Sequence, residues 1–260
     1  MAKRKLFFIA NWKMMLPYSE ELSWVGYNYQ RLEKLVDDNI RIVLCPSFLS
    51  INVLADGCDP IGVMVGAQNC AEMWQGAYTG EVSADALFFA GCQFCIVGHS
   101  ERRKEFGETD ATVAMKAAMV ARADVCPIIC VGETGQEYDE KATDQVLEKQ
   151  LMPVMDVMLP MIQARRIRYP SFIIAYEPVW SIGTGIVPDT AYLTAVVEWI
   201  KKFVKMHTHY NFYVVYGGSV GEENCEQLIA VKAINGFLIG SASADFQKFE
   251  KIVCLTKKSA

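Results

Sequence analysis

Three side chains in this sequence have the types needed to move a proton next to a carbonyl group. Glu177 ends the apolar part of IAYEPVWSIGTG (174–185), His99 lies in GHSERR (98–103), and Lys13 ends NWK (11–13). A carboxylate can take a carbon-bound proton, and a neutral imidazole can donate a hydrogen bond to an oxygen gaining charge. An ammonium stabilises that charge. Apolar strands seldom end on an acid followed by a stiff Pro178, two apolar residues (Trp180 and Ile182) and a stretch closed by Gly183 and Gly185. The pattern reads as a carboxylate held at a sheet end beside a loop that opens and shuts. Taken singly, Lys13 is a solvated lysine, His99 a satisfied core histidine and the glycine stretch a surface turn. Only convergence in space makes them a site.

The elements that must bring them together are legible as a repeat. Strand-like apolar runs occur at Leu6–Ala10, Arg41–Cys45, Gly62–Val65, Gln93–Val97, Pro127–Val131, Phe172–Tyr176, Phe212–Tyr216 and Gly236–Ile239. Segments of helical period follow them, such as Thr109–Arg122 and Thr190–Met206, the latter with Leu193, Val196, Val197, Ile200 and Val204 on one face. Eight such units predict an α/β fold, a closed parallel (β/α)8 barrel in one domain over residues 1–260, a length usual for that architecture. A doubly wound sheet would need fewer strands and a glycine-rich dinucleotide fingerprint after the first, and none is present. In a barrel all the strand ends share one mouth. Asn11 and Lys13 follow the first strand, Gln68 and Asn69 the third, His99 the fourth, Glu133 the fifth and Glu177 the sixth. Gly217, Gly218 and Ser219 follow the seventh, and Gly240 and Ser241 the eighth.

Composition narrows the classes. The chain is 52% hydrophobic and 21% charged, with a formal net charge of -5, so it can build a large core. The acidic balance and the lack of a Lys/Arg run argue against nucleic acid or an anionic membrane as partner. The apolar part of MAKRKLFFIANWK is too short for a signal-peptide core, and no stretch approaches the ~18 apolar residues of a membrane span. The nine cysteines fall mostly within apolar runs, as at Cys45, Cys95, Cys126 and Cys130, which predicts packing rather than a disulfide framework and fits a cytoplasmic protein. The Cys92/Cys95 pair lacks a second pair and reads as packing, and His207 and His209 read as solvated loop residues. Neither a metal nor a cofactor is expected.

At the motif level the chain resembles the triosephosphate isomerase family. The matching pieces run in order from end to end: NWK (11–13), GAQN (66–69), TGE (79–81), GHSERR (98–103), CVGE (130–133), AYEPVWSIGTG (175–185), YGGSV (216–220) and NGFLIG (235–240). GHSERR and YEPVW are specific; GTG or GGS alone would be weak. The resemblance implies interconversion of dihydroxyacetone phosphate and D-glyceraldehyde 3-phosphate through an enediolate, without cofactor, as in glycolysis and gluconeogenesis. It makes Glu177 the base and His99 the electrophile, a neutral ring beside the helix that SERR opens. Lys13 supplies fixed positive charge, with Asn11 orienting and Glu101 as ion-pair partner of Lys13. Backbone N–H groups of Gly183, Ser219, Gly240 and Ser241 hold the phosphate. Pro178–Trp180 and Thr184–Ile186 become hinges of a lid with its tip at Ser181–Gly183. A homodimer is implied, with the loop 69–76, carrying Met73 and an exposed Trp74, buried in the partner.

The chain departs from the family pattern in four places. Met15 and Leu16 replace Asn-Gly, and the last loop reads Gly240-Ser241-Ala242-Ser243-Ala244, which strains Ser241 if that position needs a positive φ. Pro188 stands where the family has a backbone donor for the tyrosine of YGGS, so the lid's latch to Tyr216 is expected to be missing or rerouted. Ile186 is expected to pack the hinge against apolar surface. Two other readings stay open at this point: another phosphate-binding barrel such as an epimerase, and a catalytically silent scaffold.

Overall fold

A computed structural model describes residues 4–165 and 171–259. Eight strands close into one parallel barrel in sequence order. They are β1 (Leu6–Asn11), β2 (Ile40–Cys45), β3 (Met64–Ala67), β4 (Phe94–Val97), β5 (Cys126–Val131), β6 (Ser171–Tyr176), β7 (Asn211–Tyr216) and β8 (Gly236–Ile239). Around them lie α1 (Tyr18–Leu35), α2 (Ile51–Cys58), α3 (Ala84–Phe89), α4 (Ser100–Phe106) and α5 (Asp110–Arg122). The ring continues with α6 (Gly135–Asp139), α7 (Thr143–Arg165), α8 (Thr190–His207), α9 (Cys225–Ile229) and α10 (Phe246–Ser259). The expected (β/α)8 architecture is therefore present.

Alternation along the strands divides the core in two. Phe7, Ile9, Val43, Phe94, Ile96, Ile128, Cys130, Ile173, Ala175, Val215 and Leu238 fill the barrel interior. Their neighbours Leu6, Phe8, Ile42, Leu44, Val97, Ile129, Ile174 and Val214 pack outward under the helices. α8 shows why these segments become helices. Asp189 caps it by accepting from the N–H groups of Ala191 and Tyr192, both at 2.9 Å. Its periodic Leu193, Val196, Val197, Ile200 and Val204 are all buried.

Element boundaries differ from the sequence expectation in two instructive places. β3 starts at Met64 rather than Gly62, because Gly62 turns left-handed (φ 69°) to end a short 3-10 turn at Asp59–Ile61. His207 belongs to α8 rather than to a loop. Its Nδ1 lies 2.8 Å from the Phe203 carbonyl and its ring packs on Phe203.

Closure depends on the pairing of β1 with β8, where Phe7 faces Gly236. Gly236 has φ 117°, and a Cβ there would sit 2.0 Å from the Phe7 carbonyl oxygen. Both the backbone angle and the space forbid a side chain. Gly236→Ala is expected to cost at least about 2–3 kcal/mol of stability through strain and overpacking. A lowered midpoint in urea denaturation, with little change in m, is the check.

Candidate active site

The mouth of the barrel at the C-terminal strand ends holds a cavity of about 290 Å³, lined by Asn11, Lys13, His99, Glu177, Gly183, Ser219, Gly240 and Ser241 among others. The eight residues to which the resemblance gives catalytic or substrate-binding roles thus face one space, whereas Gln68, Asn69 and Glu133, also named at strand ends, do not line it. Its size is at the low end for small-molecule sites, about 300–1,000 Å³.

Glu177 reaches this space by strand parity: Ile173 and Ala175 point into the barrel, and the residue two further along points the same way. It is 2% exposed. Its Oε2 accepts the Ser100 N–H at 3.0 Å, while Oε1 has no donor and lies 3.5 Å from His99 Nε2. The room it occupies is made by missing side chains. A Cβ on Gly217 would come within 2.8 Å of Glu177 Cγ, and one on Gly132 within 1.8 Å of the Glu177 carbonyl oxygen. The carboxylate also leaves its mark on β5: burial, and then the charge of Glu177, push the Cys130 thiol well above its ordinary range.

His99 does not follow parity from Ile96, and the left-handed turn at Gly98 (φ 70°) redirects it. As the N-cap of α4, its Nδ1 accepts the Glu101 N–H at 3.2 Å. In the neutral ring the proton is therefore on Nε2, the nitrogen nearer Glu177. The two arginines of GHSERR serve this loop. Arg103 donates to the carbonyls of Gly98 (2.9 Å) and Cys130 (3.3 Å) and pairs with Asp110 at 2.6 Å. Arg102 pairs with Glu108, which also takes Lys116 at 2.5 Å.

Lys13 sits in a left-handed conformation, φ 53°, uncommon for a residue with a side chain. Three contacts hold it there. Asn11 Oδ1 accepts its N–H at 3.1 Å, Gln68 Nε2 donates to its carbonyl at 2.7 Å, and Glu101 takes its Nζ at 2.6 Å. The expected Lys13–Glu101 pair is thus present. Gly240 keeps the lysine's path clear, since a Cβ there would meet Lys13 Cε at 3.2 Å. Ser241 begins a 3-10 turn and is not among the residues of positive φ, so the strain expected there is absent.

The segment after Glu177 is fixed at both ends. Trp180 Nε1 donates to Glu133 at 2.8 Å, and this fully buried carboxylate also accepts from Tyr176 (2.9 Å) and Tyr192 (3.0 Å). Burial, with the Glu133 charge next, pushes the Tyr176 hydroxyl far above its usual range. On the other side the Ser219 hydroxyl accepts the Gly183 N–H at 3.1 Å and donates to the Ser181 carbonyl at 2.6 Å. The hydroxyl of Tyr216 meets Ser181 Oγ at 2.9 Å, and Ser181 Oγ donates to the Ile186 carbonyl at 2.6 Å. With the serine proton on Ile186, Tyr216 is the donor to Ser181. The tyrosine contact that Pro188 cannot supply is rerouted through a serine. Ile186 itself is 57% exposed and does not pack the hinge against apolar surface.

The roles of several partners escaped the sequence reading. Ser100, Gly132 and Gly217 lie within GHSERR, CVGE and YGGSV, but a backbone N–H and two missing Cβ atoms carry no side-chain signal. Glu133 was visible as a strand-end acid, but its role as anchor of Trp180 required Tyr176 and Tyr192 to be placed beside it.

The family model described as triosephosphate isomerase matches residues 6–256. The chain belongs to the triosephosphate isomerase family. Among curated relatives, the triosephosphate isomerase of Mesomycoplasma hyorhinis is 35% identical over 257 residues, covering 97% of this chain and 99% of that protein. That of Nostoc punctiforme is 36% identical, covering 96% and 98%. That of Endomicrobium trichonymphae is 37% identical, covering 98% and 100%. Membership makes the chain an isomerase and removes the epimerase and silent-scaffold readings.

The rerouted contact carries a prediction. Tyr216 is fully buried, and burial pushes its hydroxyl up to about 12. Ser181→Ala and Tyr216→Phe should each cost about 1 kcal/mol or somewhat more. The double variant should cost clearly less than their sum. Urea melts and turnover on the full cycle measure this coupling, and strict additivity would show that the hydroxyls act separately.

Proposed function

We propose that Glu177 is the base that carries a proton between the adjacent carbons of a triose phosphate, interconverting dihydroxyacetone phosphate and D-glyceraldehyde 3-phosphate. Its unpartnered Oε1, buried in the cavity that His99 and Lys13 also line, is the observation that carries this assignment. Glu177 takes the proton from the hydroxyl-bearing carbon. The electron pair moves onto the carbonyl oxygen, which receives a hydrogen bond from His99 Nε2–H. Lys13 stabilises the enediolate charge, the hydroxyl proton passes to the former carbonyl oxygen by way of His99 Nε2, and Glu177 returns its proton to the carbon that had carried the carbonyl. No electron leaves the substrate, so the chemistry requires no redox group. Asn11 positions Lys13 through the bond to its backbone N–H.

The phosphate would lie against the N–H groups of Gly183, Ser219, Gly240 and Ser241, all in the wall of the same cavity. Since Gly183 N–H is bonded to Ser219 Oγ, binding there exchanges one internal hydrogen bond for one to phosphate. A lid hinged at Pro178–Trp180 and Thr184–Ile186 would close over the substrate and exclude water. The left-handed φ of 70° and 74° at Gly183 and Gly185 suits such a segment. Glu177→Gln tests the base. The amide keeps the shape but cannot take the proton, so turnover should fall by about 10²–10⁴-fold while inorganic phosphate binds as before. Near-normal turnover would falsify the assignment.

We also place the chain in a homodimer. The apolar residues Met14, Met15, Phe48, Leu49, Tyr78 and Phe106 are exposed, Met14 at 99%, and they follow the ends of the consecutive strands β1 to β4. Adjacent strand ends put them along one side of the mouth, and such a patch calls for a cover. Trp74 is not the exposed anchor expected from the sequence. It is half-buried on its own subunit, with Arg122 over its ring at 4.0 Å. Sedimentation equilibrium at micromolar concentration should give twice the chain mass, and Leu49→Lys should shift it toward the monomer. A cytoplasmic location accords with nine free cysteines. Among the described residues, no helix is long and apolar enough to cross a membrane.

A further inference from the structure

At the opposite end of the barrel from the catalytic mouth, α8 finishes beside the beginnings of β7 and β8. Lys201 and Lys205 are one helical turn apart on the same face of α8. Together with Thr208, His209, Asn211 and Asn235 they line a cavity of about 620 Å³. Arg4 adds like charge to Lys201 from β1's side. Its guanidinium is anchored by donating to the carbonyls of Val231 (3.2 Å) and Ile229 (3.0 Å), so its charge is held in place.

Among the described residues, no ion pair involves Arg4, Lys201 or Lys205. Burial, then the like charges of Lys205 and Arg4, lower the Lys201 pKa, and Glu198 offsets this only in part. Acid is not scarce in this chain, which has 30 Asp and Glu against 25 Lys and Arg. Lys205, in the last turn of α8, is explained by the negative end of the helix. That explanation also covers Arg4, which donates to the carbonyl of Ile229, the last residue of α9, but it does not extend to Lys201, a full turn earlier. Like charges gathered around a cavity repel one another unless an anion sits between them.

We propose that this cavity is a second anion site, taking a small multiply charged phosphate-type anion at the end of the barrel remote from the catalytic mouth. Lysine ammonium groups bind phosphate oxygens as point charges, and the Thr208 hydroxyl and Asn211 amide offer neutral hydrogen bonds beside them. The site is independent of the residues assigned to isomerisation, so the two can be lost separately.

Calorimetric titration of inorganic pyrophosphate into the full chain, paired with inhibition kinetics, tests this. The parent chain should show two binding events per chain, one that competes with triose phosphate and one that does not. In Lys201→Gln/Lys205→Gln the non-competing event should weaken by roughly tenfold or more. The competing event, kcat and KM should stay within about twofold, as for surface substitutions remote from the chemistry. Lys201→Arg/Lys205→Arg, which keeps the charge, should retain both events, and circular dichroism confirms that each variant is folded. A single, competing event in the parent chain would overturn the proposal. So would a non-competing event of undiminished affinity in the glutamine variant.

Discussion

The strand alternation of a closed parallel barrel is the constraint from which the rest follows. Every second residue must enter the interior, and below the mouth these residues pack it solid with Phe7, Ile9, Ile128, Ile173, Val215 and Leu238. One layer further up, the inward positions fall to Asn11, Gly132, Glu177, Gly217 and Gly240. Three of these carry no side chain, and the vacated volume is where Glu177 and Lys13 extend. The cavity is thus a packing layer left incomplete, and its floor is as rigid as the core beneath it. A carboxylate at a loop tip would lack that floor.

The polar groups around this layer are mostly satisfied by bonds within the protein that are modest and exchangeable. Glu177 takes the Ser100 N–H, Gly183 gives its N–H to Ser219, and Ser181 links Tyr216 to Ile186. The neutral ones are each worth about 1 kcal/mol net, small enough for a charged ligand to displace, and the bond to the Glu177 carboxylate about 1.5–3 kcal/mol. The contacts that set position are stronger or fully buried: Glu133 with its three donors, and Arg103 across two carbonyls and Asp110. Adjustable bonds face the cavity and fixed ones lie behind it.

Much of this was legible in the sequence because it rests on periodicity and residue type. Eight apolar runs announced eight strands, and acid, imidazole and amine stood at their ends. Boundaries were less legible: β3 was displaced by the turn at Gly62, which a list of apolar residues does not reveal. Contacts through the backbone or through empty space, such as Ser100 and Gly217, carry no side-chain signature. The lid contact shows the same limit from another side. Pro188 correctly removed one donor, but the substitute, Ser181, could be found only once its hydroxyl was placed 2.9 Å from Tyr216. Trp74 looked exposed in its loop, and its cover, Arg122, comes from a helix far along the chain.

The pairing of β1 with β8 also bears on how the molecule is made. These are the first and eighth strands of the barrel in sequence order, so of the eight the one that covers this edge of β1 leaves the ribosome last. At about 5–20 residues per second, β1 has no partner on that side for an interval on the order of tens of seconds. An unpaired strand edge rich in Leu, Phe and Ile is a template for pairing with other chains. Premature release or a slow final closure would therefore expose the nascent protein to aggregation along LFFIAN, whatever the stability of the finished barrel.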